Sequence, residues 1–106
     1  MVKRFDIYLV NLDAEVTKDA KNTRPCVIVS PDEMNGNVGH VLIAPVSSGS
    51  AAYPTRIPLE LLNSKRYIVL DQLRAVDAER LVKKIGELDR PTRGATLDIL
   101  QEFFAE

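Results

Sequence analysis

Arg24-Pro25 stands directly ahead of the run Cys26-Val27-Ile28-Val29-Ser30, and Pro31 closes it. A residue before proline is pushed out of the α region into extended geometry. Proline cannot donate to a ladder, so Pro25 suits the first residue of a strand. Val27, Ile28 and Val29 are β-branched and apolar, the composition of a buried strand. These features together predict a strand over 25–30, with Arg24 held at a rigid loop-to-strand junction. A cation fixed on a scaffold edge suits the gripping of a phosphate; an ordinary surface arginine is the other reading.

The rest of the chain divides into short pieces. Residues 6–12 (DIYLVNL) form an apolar run and read as the first strand, and 13–22 are polar and aperiodic and read as a mobile loop. Asn35-Gly36 marks a turn within 32–39, and 40–46 (HVLIAPV) read as a third strand. Residues 47–50 are small and loop-like. Residues 55–59 (TRIPL) alternate, and Pro58 demotes them to an edge strand. Residues 66–70 (RYIVL) read as a further buried strand, and 72–76 continue the sheet after a bend. One helical turn is expected over 77–81 and a last short strand over 84–88. A helix is predicted over 91–104, with Pro91 in its first turn and Asp89 or Arg90 before it. Leu97, Leu100, Phe103 and Phe104 recur at helical spacing, a face expected to be core. Short strands followed by one helix argue a small β-barrel or half-barrel with a packed helix.

The 106 residues fit one domain, 1–106, with a modest core. Fourteen basic and fifteen acidic residues leave a net charge of −1, which excludes a broadly cationic nucleic-acid coat. Any polyanion must therefore meet a local patch. One cysteine rules out an intramolecular disulfide and fits a cytoplasmic protein. Cys26 lies within the β-branched run and reads as a small core residue. No apolar run has spanning length and no signal pattern opens the chain, so no membrane association is expected. No spacing of His, Cys and carboxylates suggests a metal site, and no cofactor is expected.

An ordered set of motifs carries a resemblance. It comprises Asp6-Ile7-Tyr8-Leu9-Val10-Asn11-Leu12-Asp13, Thr23-Arg24-Pro25-Cys26-Val27-Ile28-Val29-Ser30-Pro31 with Asn35, and Ala44-Pro45-Val46-Ser47-Ser48. Tyr53-Pro54-Thr55, Leu70-Asp71-Gln72-Leu73-Arg74-Ala75-Val76-Asp77, Arg80-Leu81 and Lys84-Ile85-Gly86 complete it. The chain thereby resembles the MazF/PemK (Kid) toxins of toxin–antitoxin systems. The resemblance implies a small SH3-like β-barrel with a C-terminal helix, a homodimer, and metal-independent cleavage of single-stranded RNA, usually messenger RNA. It also implies a small antitoxin partner of the MazE/PemI kind. A DNA gyrase poison on the same architecture, and a silent relative that only binds antitoxin or RNA, are the alternatives.

Metal-free RNA cleavage must deprotonate a 2′-hydroxyl, neutralise the phosphate and protonate the leaving 5′-oxygen. Two histidines commonly share that work, but this chain has one. Arg24 matches the arginine of the family's Arg-Pro motif, which implies phosphate binding and charge stabilisation; guanidinium offers paired donors for phosphate. Ser47 matches a position where many relatives carry a catalytic threonine, and the hydroxyl is retained. Ser48 is its neighbour and second candidate. Asp71 matches an aspartate proposed as general base in one branch, where an arginine stands two residues earlier; here that position is Val69. Asp71 could equally bond backbone amides at the bend. Gln72 could read a base edge or hold the bend. Lys18, Lys21, Thr23 and Arg74 complete the expected substrate contacts. Arg56 and Arg80 read as surface ion pairs, and His40 as an exposed structural residue. Phe5 replaces the glycine that usually precedes Asp6.

Overall fold

The computed structural model describes residues 1–12, 22–47 and 56–105. Seven strands and a terminal helix occupy them: β1 (Asp6–Asn11), β2 (Thr23–Ile28), β3 (His40–Ser47), β4 (Arg56–Leu61), β5 (Ser64–Val69), β6 (Arg74–Asp77), β7 (Leu81–Glu87) and α2 (Arg90–Phe104). A single helical turn, α1 (Asp32–Asn35), stands between β2 and β3, in place of the plain turn that Asn35-Gly36 predicts. The loops expected over 13–22 and 47–50 lie outside the described residues, apart from Asn22 and Ser47. Ser47 is the last residue of β3 and not the start of a loop.

The strands pair in the order β4-β5-β3-β2-β1-β7, and β6 joins β3 beside that path. The sheet curls into a half-barrel. All of the pairings are antiparallel. Strand alternation sends successive side chains to opposite faces. Val27 and Val29 of the second-strand region and Ala44 and Val46 of β3 enter one buried cluster with Ile7, Ile57 and Ile68. Cys26 and Ile28, with Val41 and Ile43, enter a second cluster on the other face, together with Val10 and Val76. The central strands are thus covered on both sides, which explains their near-continuous apolar runs.

β3 is the branch point. Its C-terminal end pairs with β5 through Val46↔Ile68 and Ser47↔Tyr67. Its N-terminal half pairs with β6, from His40↔Asp77 to Ile43↔Arg74, on the same edge. The chain passes from β5 to β6 through a 3₁₀ turn at Leu70–Gln72. This is the bend expected after residue 70. A second such turn, Ala78–Arg80, occupies the place of the helical turn expected over 77–81.

β4 ends the sheet as anticipated for a strand containing proline, and Pro58 is exposed opposite Tyr67. Asn35 has a local structural task. Its side-chain amide donates to the Ser30 carbonyl at 3.1 Å, and its carbonyl accepts from the Ser30 hydroxyl. The Ser30 oxygen in turn accepts from the Leu42 amide at 3.0 Å, tying α1 to β3. His40 is exposed and pairs with Asp77 at 3.0 Å.

α2 starts one residue earlier than expected. Asp89 is its N-cap and accepts from the Thr92 amide at 2.9 Å. The Thr92 side chain, and after it that bond from the amide, hold the Asp89 carboxyl below its ordinary range. The helix does not bury the whole stripe expected of it. Thr96 is fully buried, and Ile99 and Leu100 pack on the first cluster. Leu97 and Phe103 stay 37% exposed and Phe104 78% exposed. Leu97, Leu100 and Phe104 border an apolar groove with Val29, Leu42 and Leu73, so this part of the helix face is covered only in part. No described helix is long and apolar enough to cross a membrane.

Candidate functional site

The second cluster does not run the full length of the sheet. At the C-terminal end of β3 it gives way to a cleft of about 450 Å³ whose walls include Arg24, Ser47, Arg56, Gln72 and Arg74. Ile43, Pro45 and Val69 supply apolar floor. Small-ligand and substrate sites commonly have this size and mixture of apolar floor with few polar groups.

The register explains how the residues meet. Cys26 faces Pro45 on the β2–β3 ladder. Two residues further along each strand, Arg24 and Ser47 fall on the same face as that pair by alternation, and both line the cleft. Ile43 faces Arg74 on the β3–β6 ladder, which adds a second guanidinium from the other edge of β3. Arg24 is the second residue of β2 and not a residue ahead of it, so the ladder holds it more firmly than a junction would: Arg24 pairs with Val10 of β1. Both arginines also act on Cys26, whose thiol their charges pull down. Burial is the stronger influence and pushes that thiol up to about 12. Cys26 is therefore a protonated core residue, and not a nucleophile.

The 3₁₀ turn supplies the remaining wall. Gln72 lines the cleft directly. Asp71 is the middle residue of the turn, exposed, with its Oδ1 3.7 Å from Arg56 Nε. Thr23, one residue before Arg24, points to the opposite face of β2 and is not part of the cleft wall. Lys18, Lys21 and Ser48 lie outside the described residues.

Two arginines read from sequence as surface ion pairs have specific places. Arg80 donates to the Asn11 carbonyl at 3.1 Å and ties the second 3₁₀ turn to β1. Arg56 faces Val69 on the β4–β5 ladder and lines the cleft. The position two residues before Asp71 is thus apolar, yet a guanidinium reaches the same carboxylate from the neighbouring strand. Only the strand register reveals this; the alternation of 55–59 hints at the face but not at the partner. Among the described residues, no group of three or more His, Cys, Asp or Glu is placed to hold a metal ion.

Against known proteins, the model of the PemK-like, MazF-like toxins of type II toxin–antitoxin systems matches residues 3–104. The chain belongs to this family. It is 31% identical over 98 residues to the endoribonuclease MazF9 of Mycobacterium tuberculosis, covering 83% of each chain. It is 30% identical to the endoribonuclease EndoA of Bacillus subtilis, covering 84% of this chain and 82% of EndoA. Among solved structures, a mycobacterial endoribonuclease in complex with its cognate antitoxin superimposes with a TM-score of 0.80 at 18% identity. That match covers 96% of this chain and 93% of the other. A MazE–MazF complex from Deinococcus radiodurans also gives 0.80, at 20% identity, covering 98% and 95%. The half-barrel with a C-terminal helix is therefore the MazF toxin fold, as the motif set implied.

Proposed function

We propose that this MazF-family toxin is a sequence-selective endoribonuclease that cuts single-stranded RNA, messenger RNA above all, without a metal ion. The observation that carries the reading is the meeting of Arg24, Ser47 and Arg74 in one cleft of an otherwise charge-balanced chain. The names of the curated relatives, endoribonucleases at 30–31% identity, favour it over a gyrase poison.

In the proposed reaction the 2′-oxygen bonds to phosphorus and the P–O5′ bond breaks. The products are a 2′,3′-cyclic phosphate and a 5′-hydroxyl end. Arg24 neutralises the phosphoryl oxygens as charge accumulates on them, and Ser47 donates its hydroxyl to one of them. In this reading Asp71 takes the 2′-hydroxyl proton and Arg24 returns a proton to the leaving oxygen. Gln72 and Arg74 contact the chain on either side of the cut. Lys18, Lys21 and Ser48 remain proposed RNA contacts from sequence, and Thr23, on the opposite face of β2, is dropped from that set. The toxin acts in the cytoplasm as a homodimer and is restrained by a small antitoxin of the MazE kind; solved relatives in complex with antitoxin support that partner.

The test is incubation of the purified toxin with a long single-stranded RNA in EDTA, beside an Arg24→Ala control. Discrete cuts by the wild type alone, with 2′,3′-cyclic phosphate ends, are expected. Intact RNA from folded, antitoxin-free protein would overturn the nuclease reading, and a gyrase cleavage assay would then separate a poison from a silent relative.

A further inference from the structure

We propose that Arg56 is an RNA-binding residue of this cleft, taking a backbone phosphate other than the one at Arg24, with Asp71 as the counter-ion that orients it. The proposal rests on the endoribonuclease reading and deepens it.

Three guanidinium groups line the cleft, each from a different strand: Arg24 of β2, Arg56 of β4 and Arg74 of β6. Placing three like charges around one cavity is unfavourable unless an anion joins them. The chain as a whole carries a net charge of −1, so this grouping is local and not a consequence of a basic protein.

Arg56 is set by backbone register and not by chance of rotamer. It opens β4 directly opposite Val69, the last residue of β5. The 3₁₀ turn that follows Val69 brings Asp71 back towards it, with Nε and Oδ1 3.7 Å apart. The Arg56 side chain is only 20% exposed, against 43% for that of Asp71. Arg56 is therefore part of the wall, whereas a surface ion pair leaves both ends in solvent. A separation of 3.7 Å is a charge contact longer than a directed hydrogen bond. A guanidinium on a cleft wall can give a phosphate paired N–H donors.

The strand order separates the roles. β4, β5, β3 and β2 are consecutive, so three strand spacings lie between the backbones carrying Arg56 and Arg24. On a flat sheet that is about 14 Å. The curl of the half-barrel brings both side chains to one cleft from backbones that far apart, which suits separate phosphates of one strand and not a single phosphate. Arg56 then positions the RNA along the sheet, and Arg24 acts at the bond to be cut.

Binding is measured by fluorescence anisotropy with a labelled 2′-deoxy oligonucleotide of mixed sequence, which lacks the attacking hydroxyl, over a series of salt concentrations. Wild type, Arg56→Gln, Arg56→Lys and Arg24→Ala are compared, each first shown to melt cooperatively. Loss of one phosphate contact to a single strand flattens the plot of log affinity against log salt by about 0.7. The expected result is that flattening in Arg56→Gln and an unchanged slope in Arg56→Lys. A wild-type slope in Arg56→Gln, with affinity lost in Arg24→Ala, overturns the role of Arg56 and leaves the nuclease reading intact. Absence of salt-dependent binding by the wild type overturns this proposal, while RNA cleavage in EDTA independently decides the nuclease reading.

Discussion

Cys26 faces Pro45 across the β2–β3 ladder, and two residues further along each strand Arg24 and Ser47 line one cleft. The two sit on the face that holds the cleft, yet neither supports the core: Arg24 is exposed and Ser47 ends its strand. Their substitution therefore separates activity from stability. Arg24→Ala is expected to lower RNA cleavage by at least about 10²-fold, the scale for losing a donor to developing phosphoryl charge. Unfolding free energy should stay within about 0.5 kcal/mol of wild type. Ser47→Ala should lose most of its rate and Ser47→Thr should keep it, because the hydroxyl is the working group. Initial rates on a short RNA, read beside urea unfolding curves, check all three. Equal rates for Ser47→Ala and wild type would remove the hydroxyl from the mechanism.

The buried thiol of Cys26 makes stability depend on alkaline pH. Folding raises its pKa from 9.0 to about 12 through burial, so the folded state holds a proton that the unfolded state releases first. The contribution is fully present below pH 9 and is lost as pH rises towards 12. Each pH unit in that window costs up to about 1.4 kcal/mol for one such group. Urea unfolding of wild type and Cys26→Ala at about pH 8 and about pH 10.5 gives the difference attributable to the thiol. The wild-type advantage should shrink by roughly 2 kcal/mol between them. A difference that does not move with pH would show that the thiol titrates alike in both states.

Much of this arrangement is legible in the amino-acid sequence, for reasons that differ from residue to residue. The Arg24-Pro25 junction and the β-branched run after it restrict the backbone directly, so β2 and its end at Ile28 lie near their expected bounds. Asp89 and Pro91 are local signals, and α2 begins within one residue of its predicted start. The place of Arg56 is not legible, because it arises from pairing with Val69, a contact between strands that alternation alone cannot specify. β7 starts at Leu81, earlier than expected, because pairing with β1 carries the charged Lys83 and Lys84 into the ladder. The stripe on α2 misleads for a similar reason: helical spacing identifies a face, but the half-barrel decides how much of that face it covers. Leu97 and Phe104 share the spacing of Leu100, and with it they border an open apolar groove against Val29, Leu42 and Leu73 that leaves them partly exposed.

The hairpin between β4 and β5 contains a residue that can be improved. Leu61 pairs with Ser64, and the two residues between them, Leu62 and Asn63, have φ of 54° and 62°. Two-residue hairpin turns of this kind need positive φ at both positions, which asparagine tolerates and leucine does not. Leu62 is 62% exposed and so recovers little by burial. Leu62→Asn is expected to stabilise the fold by ~0.5–1 kcal/mol, seen as a higher melting temperature with unchanged cleavage. A lower melting temperature would mean that Leu62 gains more from its contacts than its backbone loses.

Phe5 has the same backbone problem with the opposite balance. Its φ is 75°, a left-handed region that suits glycine. Here the side chain is 8% exposed and belongs to the first cluster. The Arg4 and Arg93 guanidinium groups lie 5.8 and 5.6 Å from its ring centre. Each arginine is itself held, Arg4 by the Val29 carbonyl at 2.8 Å and Arg93 by the Leu88 carbonyl at 2.7 Å. The Phe5 carbonyl also accepts from the Leu88 amide at 3.0 Å, linking β1 to the entry of α2. Glycine at this position would relieve ~1–2 kcal/mol of left-handed strain. It would also remove a buried aromatic ring, at a cost of ~3–5 kcal/mol. The cavity outweighs the strain, so Phe5→Gly is expected to destabilise the toxin by about 2–3 kcal/mol. Chemical unfolding decides the sign. A variant as stable as wild type would mean that the ring is carried at the expense of the backbone, and that the two arginines add nothing to it.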